Sequence, residues 1–194
     1  MPKDFVINVM SVDRVGIISS VSAAILDLGG NIDALSQTVL QGYFTIIITA
    51  RFADDVTPAR LAAAVAEKGA RDELGVLVKE RNLDAARLVV PDAERFVLTI
   101  TGPDRKGIIN RISSYLSSRN INIEDLYAVV ERGSFLLIAQ LQVPKGLDIE
   151  RAQLDVQDLW PEFDVRVSLQ HENIFLATGN VDFRQSKPEK LTSR

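Results

Sequence analysis

Two hexapeptides, DRVGII at 13 to 18 and DRKGII at 104 to 109, place a carboxylate, a guanidinium and a glycine in the same order ninety-one residues apart. That combination suits a zwitterion. The carboxylate of Asp13 or Asp104 matches an ammonium group, while a glycine lets the chain turn tightly and present main-chain amides to an anion. Where such a turn opens a helix, the first amides also carry the positive end of the helix dipole. The positions singled out are therefore Asp13, Arg14, Val15, Gly16 and Ile17, with Asp104, Arg105, Lys106, Gly107 and Ile108 in the second copy. Asn31 and Asn122, again ninety-one apart, offer a donor and an acceptor that can read the polar ends of a small ligand. A purely structural use of the same residues stays open. Asp near a helix start is commonly a cap, Gly in a turn only a turn, and Asn after a helix only a local hydrogen bonder.

Other chemistry has little to stand on. The chain has no cysteine, which removes disulfides, thiolate nucleophiles and cysteine metal sites. Its single histidine, His171, lies in HENIF, which lacks the second histidine of an H-E-x-x-H zinc motif, so His171 reads as a surface or packing residue. Neither a G-x-S-x-G elbow nor a Walker-type loop occurs. Asp13 and Asp104 would form a carboxylate dyad only if the two turns met. The expectation is a protein that is not an enzyme, with neither metal nor cofactor. A formal net charge of −4 argues against a surface that neutralises nucleic-acid phosphates directly. No apolar run approaches the roughly 20 residues of a membrane helix, and MPKDFVINV turns straight into a strand-like alternation, so a cytoplasmic protein without a membrane partner is expected.

The hexapeptides belong to a longer repeat. Sliding the chain by ninety-one residues lays FVINVMSVDRVGIISSVSAAI over FVLTITGPDRKGIINRISSYL without a gap, and then GGNIDALSQTVLQGYFTIIITARF over NINIEDLYAVVERGSFLLIAQLQV. Two copies of this length point to two small domains, because solenoids use shorter and more numerous repeats.

The elements that must carry the turns can be read from periodicity. FVINVMS (5 to 11) alternates as a strand, and Ile17, Ile18, Val21, Ala24, Ile25 and Leu28 recur at helical spacing until Gly29-Gly30. Residues 32 to 40 and 43 to 52 form a hairpin about Gln41-Gly42, Thr57-Pro58 caps and opens a second helix, and GVLVKER supplies a last strand. The second copy gives strands at 96 to 102, 122 to 131, 134 to 143 and 163 to 169, with helices at 107 to 119 and within 148 to 158. Trp160 reads as a packing residue. The order β-α-β-β-α-β, made twice, predicts an α+β fold: two ferredoxin-like domains, each an antiparallel four-stranded sheet with both helices on one face. The expected boundaries are 1 to 81, a linker at 82 to 94, a second domain at 95 to 171 and a tail at 172 to 194, of which ENIFLATGNVDF is able to pack on a domain. One face and one edge of each sheet need cover, and edge-to-edge pairing of units answers the edge problem.

With D-R-x-G-I-I after the first strand and N-I opening the second in both halves, the chain resembles the ACT domain family, over roughly 5 to 81 and 95 to 171. Two such domains without a catalytic domain are similar to the glycine cleavage system transcriptional repressors, which work through a DNA-binding partner. SQTVLQGYFT (36 to 45) and QHENIF (170 to 175) resemble small single-ACT regulatory proteins. The resemblance implies amino-acid binding at interfaces between paired domains, through the two turns together with Asn31 and Asn122, in a homodimer that signals to a regulatory protein partner. The copies also diverge: Val15 stands opposite Lys106, and Ser11-Val12 opposite Gly102-Pro103, so the two turns need not bind alike. Three function classes follow: an amino-acid sensor in transcriptional or metabolic regulation, a ligand-free dimerisation module, and an unrecognised enzyme.

Overall fold

The computed structural model describes residues 2–53, 55–69, 74–82, 92–161 and 164–178. In the first unit, alternate residues of two strands face the same way and are buried: Phe5, Ile7 and Val9 on β1 (Lys3–Val12), and Phe44, Ile46, Ile48, Ala50 and Phe52 on β3 (Tyr43–Phe52). The helices fill that face. Ile17, Val21, Ala24 and Ile25 of α1 (Ile17–Asp27) and Leu61 and Val65 of α2 (Pro58–Lys68) join the strand residues in one core. With β2 (Asn31–Leu40) and β4 (Gly75–Glu80) the sheet order is β2-β3-β1-β4, antiparallel throughout.

The second unit repeats the plan with β5 (Ala93–Pro103), α3 (Ile108–Ser118), β6 (Asn122–Glu131), β7 (Ser134–Pro144), α4 (Ile149–Gln157) and β8 (Arg166–His171), in the order β6-β7-β5-β8. Its core is built from Leu98, Ile100, Leu137, Leu141, Ile112 and Leu116 among others, and Trp160 is buried in it, as a packing residue should be. The fold is the expected pair of ferredoxin-like units, and the chain divides into Met1–Leu88 and Val89–Arg194.

Local details repeat as closely as the elements do. Both hairpins turn on a non-glycine and a glycine at positive φ, Gln41 (49°) and Gly42 (83°), then Arg132 (50°) and Gly133 (82°), the backbone of a two-residue turn that follows strand twist. Both second strands carry a bulge at the same place, between Ile32 and Ala34 and between Ile123 and Asp125. Thr57 caps α2 through the Arg60 amide, as the sequence predicts, and Asp148 caps α4 through that of Arg151.

Two expectations change, and the start of the tail packs as expected. The last strand runs Arg166–His171, later than 163 to 169, because its ladder with β5 spans Thr101 opposite Arg166 to Phe96 opposite His171. Ile18 is not a core residue: it is exposed on α1 beside the buried Ile17, on the edge of the stripe that Ile17, Val21, Ala24 and Ile25 turn to the sheet. After His171 the chain forms α5 (Glu172–Thr178), which packs against β5 and β8. Most of the expected linker and the remainder of the tail lie outside the described residues.

Candidate functional site

The hairpin places the turn. The amide of Asp13 donates to the Gly42 carbonyl at 2.8 Å, and that of Asp104 to the Gly133 carbonyl at 3.0 Å, so each motif is pinned to the β-hairpin of its own sheet. The chain then reverses through Gly16 (φ 97°, ψ −6°) and Gly107 (φ 89°, ψ 2°), where an L side chain is strained, and the helix begins on the next residue. Ile17 and Ile108 are buried and anchor the helix to the core, so these two positions present only their amides. The first intrahelical bonds come from the Ser20 amide to the Gly16 carbonyl and from the Arg111 amide to the Gly107 carbonyl, both at 2.9 Å. The amides ahead of them have no helical acceptor.

The capping alternative for the aspartates fails. The N-cap of α1 is Gly16 and that of α3 is Gly107, and neither helix has a side-chain cap. Asp13 and Asp104 are exposed, three residues before the cap, and their carboxylates have no hydrogen bond or ion pair among the described residues. Each turn thus holds an unpaired carboxylate beside unfilled helix amides, with an arginine next to it. Val15 is 99% exposed, and Lys106 takes its place in the second unit, adding a cation to that turn only.

The asparagines are elsewhere. Asn31 and Asn122 open β2 and β6, at the far end of the first helix of each unit. Eleven helical residues separate turn from asparagine, about 16 Å of helix axis. A single amino acid cannot reach both within one unit. The side chain of Asn122 donates to Gln142 Oε1 at 3.4 Å, and Gln142 in turn donates to Glu124. Around the bulges the two units hold related polar clusters with the cation moved: Arg51 on β3 bonds Asp4 (3.2 Å) and Asp33 (3.5 Å), whereas in the second unit Arg95 on β5 bonds Glu124 (3.3 Å).

Sequence reading missed the surface between turn and asparagine. Ile18 on α1 and Leu35 and Val39 on β2 are exposed apolar residues on the side of the unit that runs from Gly16 to Asn31, and Ile109, Leu126 and Val130 repeat them in the second. The signal was present, since Ile17-Ile18 supplies two isoleucines where the core takes one. Away from this surface, Asp155 ties α4 to α3, accepting from Arg119 (2.8 Å), Arg151 (2.9 Å) and the Tyr115 hydroxyl (3.3 Å). Burial, and then the Asp155 charge, push the Tyr115 hydroxyl above the usual tyrosine range, with Arg119 opposing. In the first unit Lys68 bonds Asp27 (2.6 Å) across α2 and α1, and that hydrogen bond raises the Lys68 ammonium. His171 is half-buried, stacked edge-on to Phe96 at 5.3 Å, with Nδ1 accepting from the Asn173 amide. Among the described residues no group of acidic or histidine side chains is placed to hold a metal ion, and no helix is long and apolar enough to cross a membrane.

A family model of the ACT domain matches residues 3–79 and again 94–170, most of the chain and both units. The chain belongs to the ACT domain family. Its curated relatives include the UPF0237 protein of Methanosarcina acetivorans, 33% identical over 84 residues, which is 43% of this chain and 91% of that protein. A second, from Methanopyrus kandleri, is 33% identical over 88 residues, 45% and 98% of the two chains. Each relative has the length of one ACT unit. Solved structures with the tandem arrangement include an unknown protein from Galdieria sulphuraria, at TM-score 0.71 and 21% identity over 88% of this chain and 99% of the other. A protein assigned as a glycine cleavage system transcriptional repressor superposes at TM-score 0.65 and 19% identity over 88% and 97%. These likenesses establish a tandem ACT fold.

Proposed function

We propose that this tandem ACT protein is a non-catalytic amino-acid sensor, in which the turn of one ACT unit and the asparagine of another hold one ligand. The carrying observation is the separation of turn from asparagine along the first helix, with an apolar strip between them in both units. Two units that pair antiparallel along that strip bring the turn of each to the asparagine of the other. The ligand's carboxylate then meets unfilled helix amides, its ammonium meets Asp13 or Asp104, and the amide of Asn122 or Asn31 reads the remaining polar edge. Lys106 adapts the second turn to a ligand with more negative charge, and Val15 the first to one without it.

As a reading of the whole chain, the sensor is a cytoplasmic homodimer that reports occupancy to a regulatory protein partner in transcriptional or metabolic control. The tandem relative assigned as a transcriptional repressor supports that direction. The test is thermal unfolding with each of the twenty amino acids at millimolar concentration. A ligand at 100 times its Kd adds about 2.7 kcal/mol to stability. A shift with one or two amino acids that is lost in Asp104→Ala or Asn122→Ala, or in Asp13→Ala or Asn31→Ala, supports the sensor. No shift with any amino acid favours a ligand-free dimerisation module.

A further inference from the structure

The face of the first sheet turned away from the helices carries six exposed apolar side chains among polar ones such as Asn8, Thr45 and Thr49. Register places Val12, Tyr43 and Leu40 in one row of that face, Met10 beside them, and Ile47 and Leu77 in the row through Asn8. All six are more than half exposed. In the second unit the same fold puts Pro103, Ser134, Glu131, Thr101, Ile138 and Ser168 at those positions, and Tyr127, Val129 and Leu136 where the first unit has Ser36, Thr38 and Thr45. The apolar residues of the two open faces therefore lie in different places, and the cluster around Met10, Tyr43 and Leu77 belongs to the first unit alone. The second unit also carries its own cover: α5 packs against β5 and β8, and Val97, which lies outside the helix-side core, is buried, whereas its counterpart Val6 is only partly so.

An exposed apolar patch of this extent marks an interaction surface. Four strands at about 4.8 Å spacing and about ten residues at 3.4 Å give roughly 600 Å² of flat face, so two stacked faces bury on the order of 1,200 Å², the lower bound of a stable interface. The charges point to a second copy as the occupant. The chain carries a net −4, yet this face holds two acids, Asp4 and Asp33, and two bases, Arg51 and Lys79, so two copies meet there without like-charge repulsion. Two sheets stacked face to face are a standard core arrangement, and a two-fold axis through the patch makes it self-complementary.

We infer that the chain dimerises by stacking the open faces of the first sheets of two copies, around Met10, Tyr43, Ile47 and Leu77. The inference rests on the homodimer of the proposed function and is independent of ligand binding. The test uses the 194-residue chain without amino acids, by light scattering after size exclusion and by thiol labelling. The expected result is a mass of twice 21.4 kDa that falls to the monomer in Ile47→Glu with unchanged far-UV circular dichroism. Because the chain has no cysteine, Leu77→Cys reports the interface without disrupting it. A maleimide should label it at least tenfold more slowly in the dimer than after dilution to monomer, while Leu154→Cys, exposed on α4, is indifferent to concentration. A chain monomeric at all concentrations overturns the inference and leaves the face to a different partner. So does a dimer in which Leu77→Cys labels as fast as Leu154→Cys, whether or not Ile47→Glu folds. An amino-acid melting shift in a monomeric chain would sink this interface and leave the sensor standing.

Discussion

Gly107→Ala isolates the backbone requirement of the repeated turn. At φ 89° the residue sits where L side chains are strained, and an added Cβ would meet no atom within 4 Å, so the whole effect is conformational rather than steric. Forcing alanine into the left-handed region costs about 1–2 kcal/mol. For a unit of this size each kcal/mol lowers Tm by about 4–8 °C. The chain supplies its own reporter: Trp160 is its one tryptophan and is buried in the second core, so its emission follows the unfolding of the unit that contains Gly107. Asparagine tolerates positive φ better than alanine, so Gly107→Asn should recover part of the loss although it is the larger residue. An alanine variant whose Trp160 transition coincides with that of the parent, or an asparagine variant less stable than alanine, would refute the reasoning.

Gly30 offers the opposite case. Its φ is not positive, yet a Cβ there would lie 2.3 Å from the Phe52 ring, which is buried and edge-on to Phe5. Gly30→Ala should destabilise the first unit by about 1–3 kcal/mol through overpacking, and Phe52→Leu in the same chain should relieve part of it, measured by urea unfolding. A third expectation concerns alkaline pH. The Tyr115 hydroxyl ionises at higher pH in the folded unit than its ordinary value near 10, so the folded state holds that proton more tightly. The stability this adds is complete below about pH 10 and is lost as pH rises through the higher folded value. The Trp160 transition should therefore fall more steeply above pH 10 in the parent than in Tyr115→Phe, a comparison that cancels the contribution of Lys68; equal slopes would contradict it.

Much of the architecture was legible because two periodicities and one repeat constrained it together. Alternation at Phe5, Ile7 and Val9, helical spacing at Val21, Ala24 and Ile25, and a glycine at each reversal leave little choice of fold. The site was legible only in part. D-R-x-G identified the turn, but not that glycine itself caps the helix and leaves Asp13 and Asp104 unpaired, because capping depends on the φ of Gly16 and Gly107. That Asn31 and Asn122 lie beyond reach of their own turns follows from helix length once the boundaries are known. The exposed faces depend on register. Leu35 and Val39 sit on the helix side of an edge strand that α1 does not cover, and Leu77 joins Met10 and Ile47 only through strands far apart in sequence. The Asp155 cluster was equally hidden, since Arg119 and Asp155 are 36 residues apart and neither belongs to a recognisable motif.

The most direct test of the sensor is calorimetric titration of the amino acid that raises Tm most, on the parent chain and on Asp13→Ala, Asn31→Ala, Asp104→Ala and Asn122→Ala. The expected result is that each binding event is lost with one aspartate and with one asparagine, so that the four variants sort into pairs joining a turn to an asparagine. Binding that survives all four substitutions, or an aspartate that matters while neither asparagine does, would contradict a ligand held between the turn of one ACT unit and the asparagine of another.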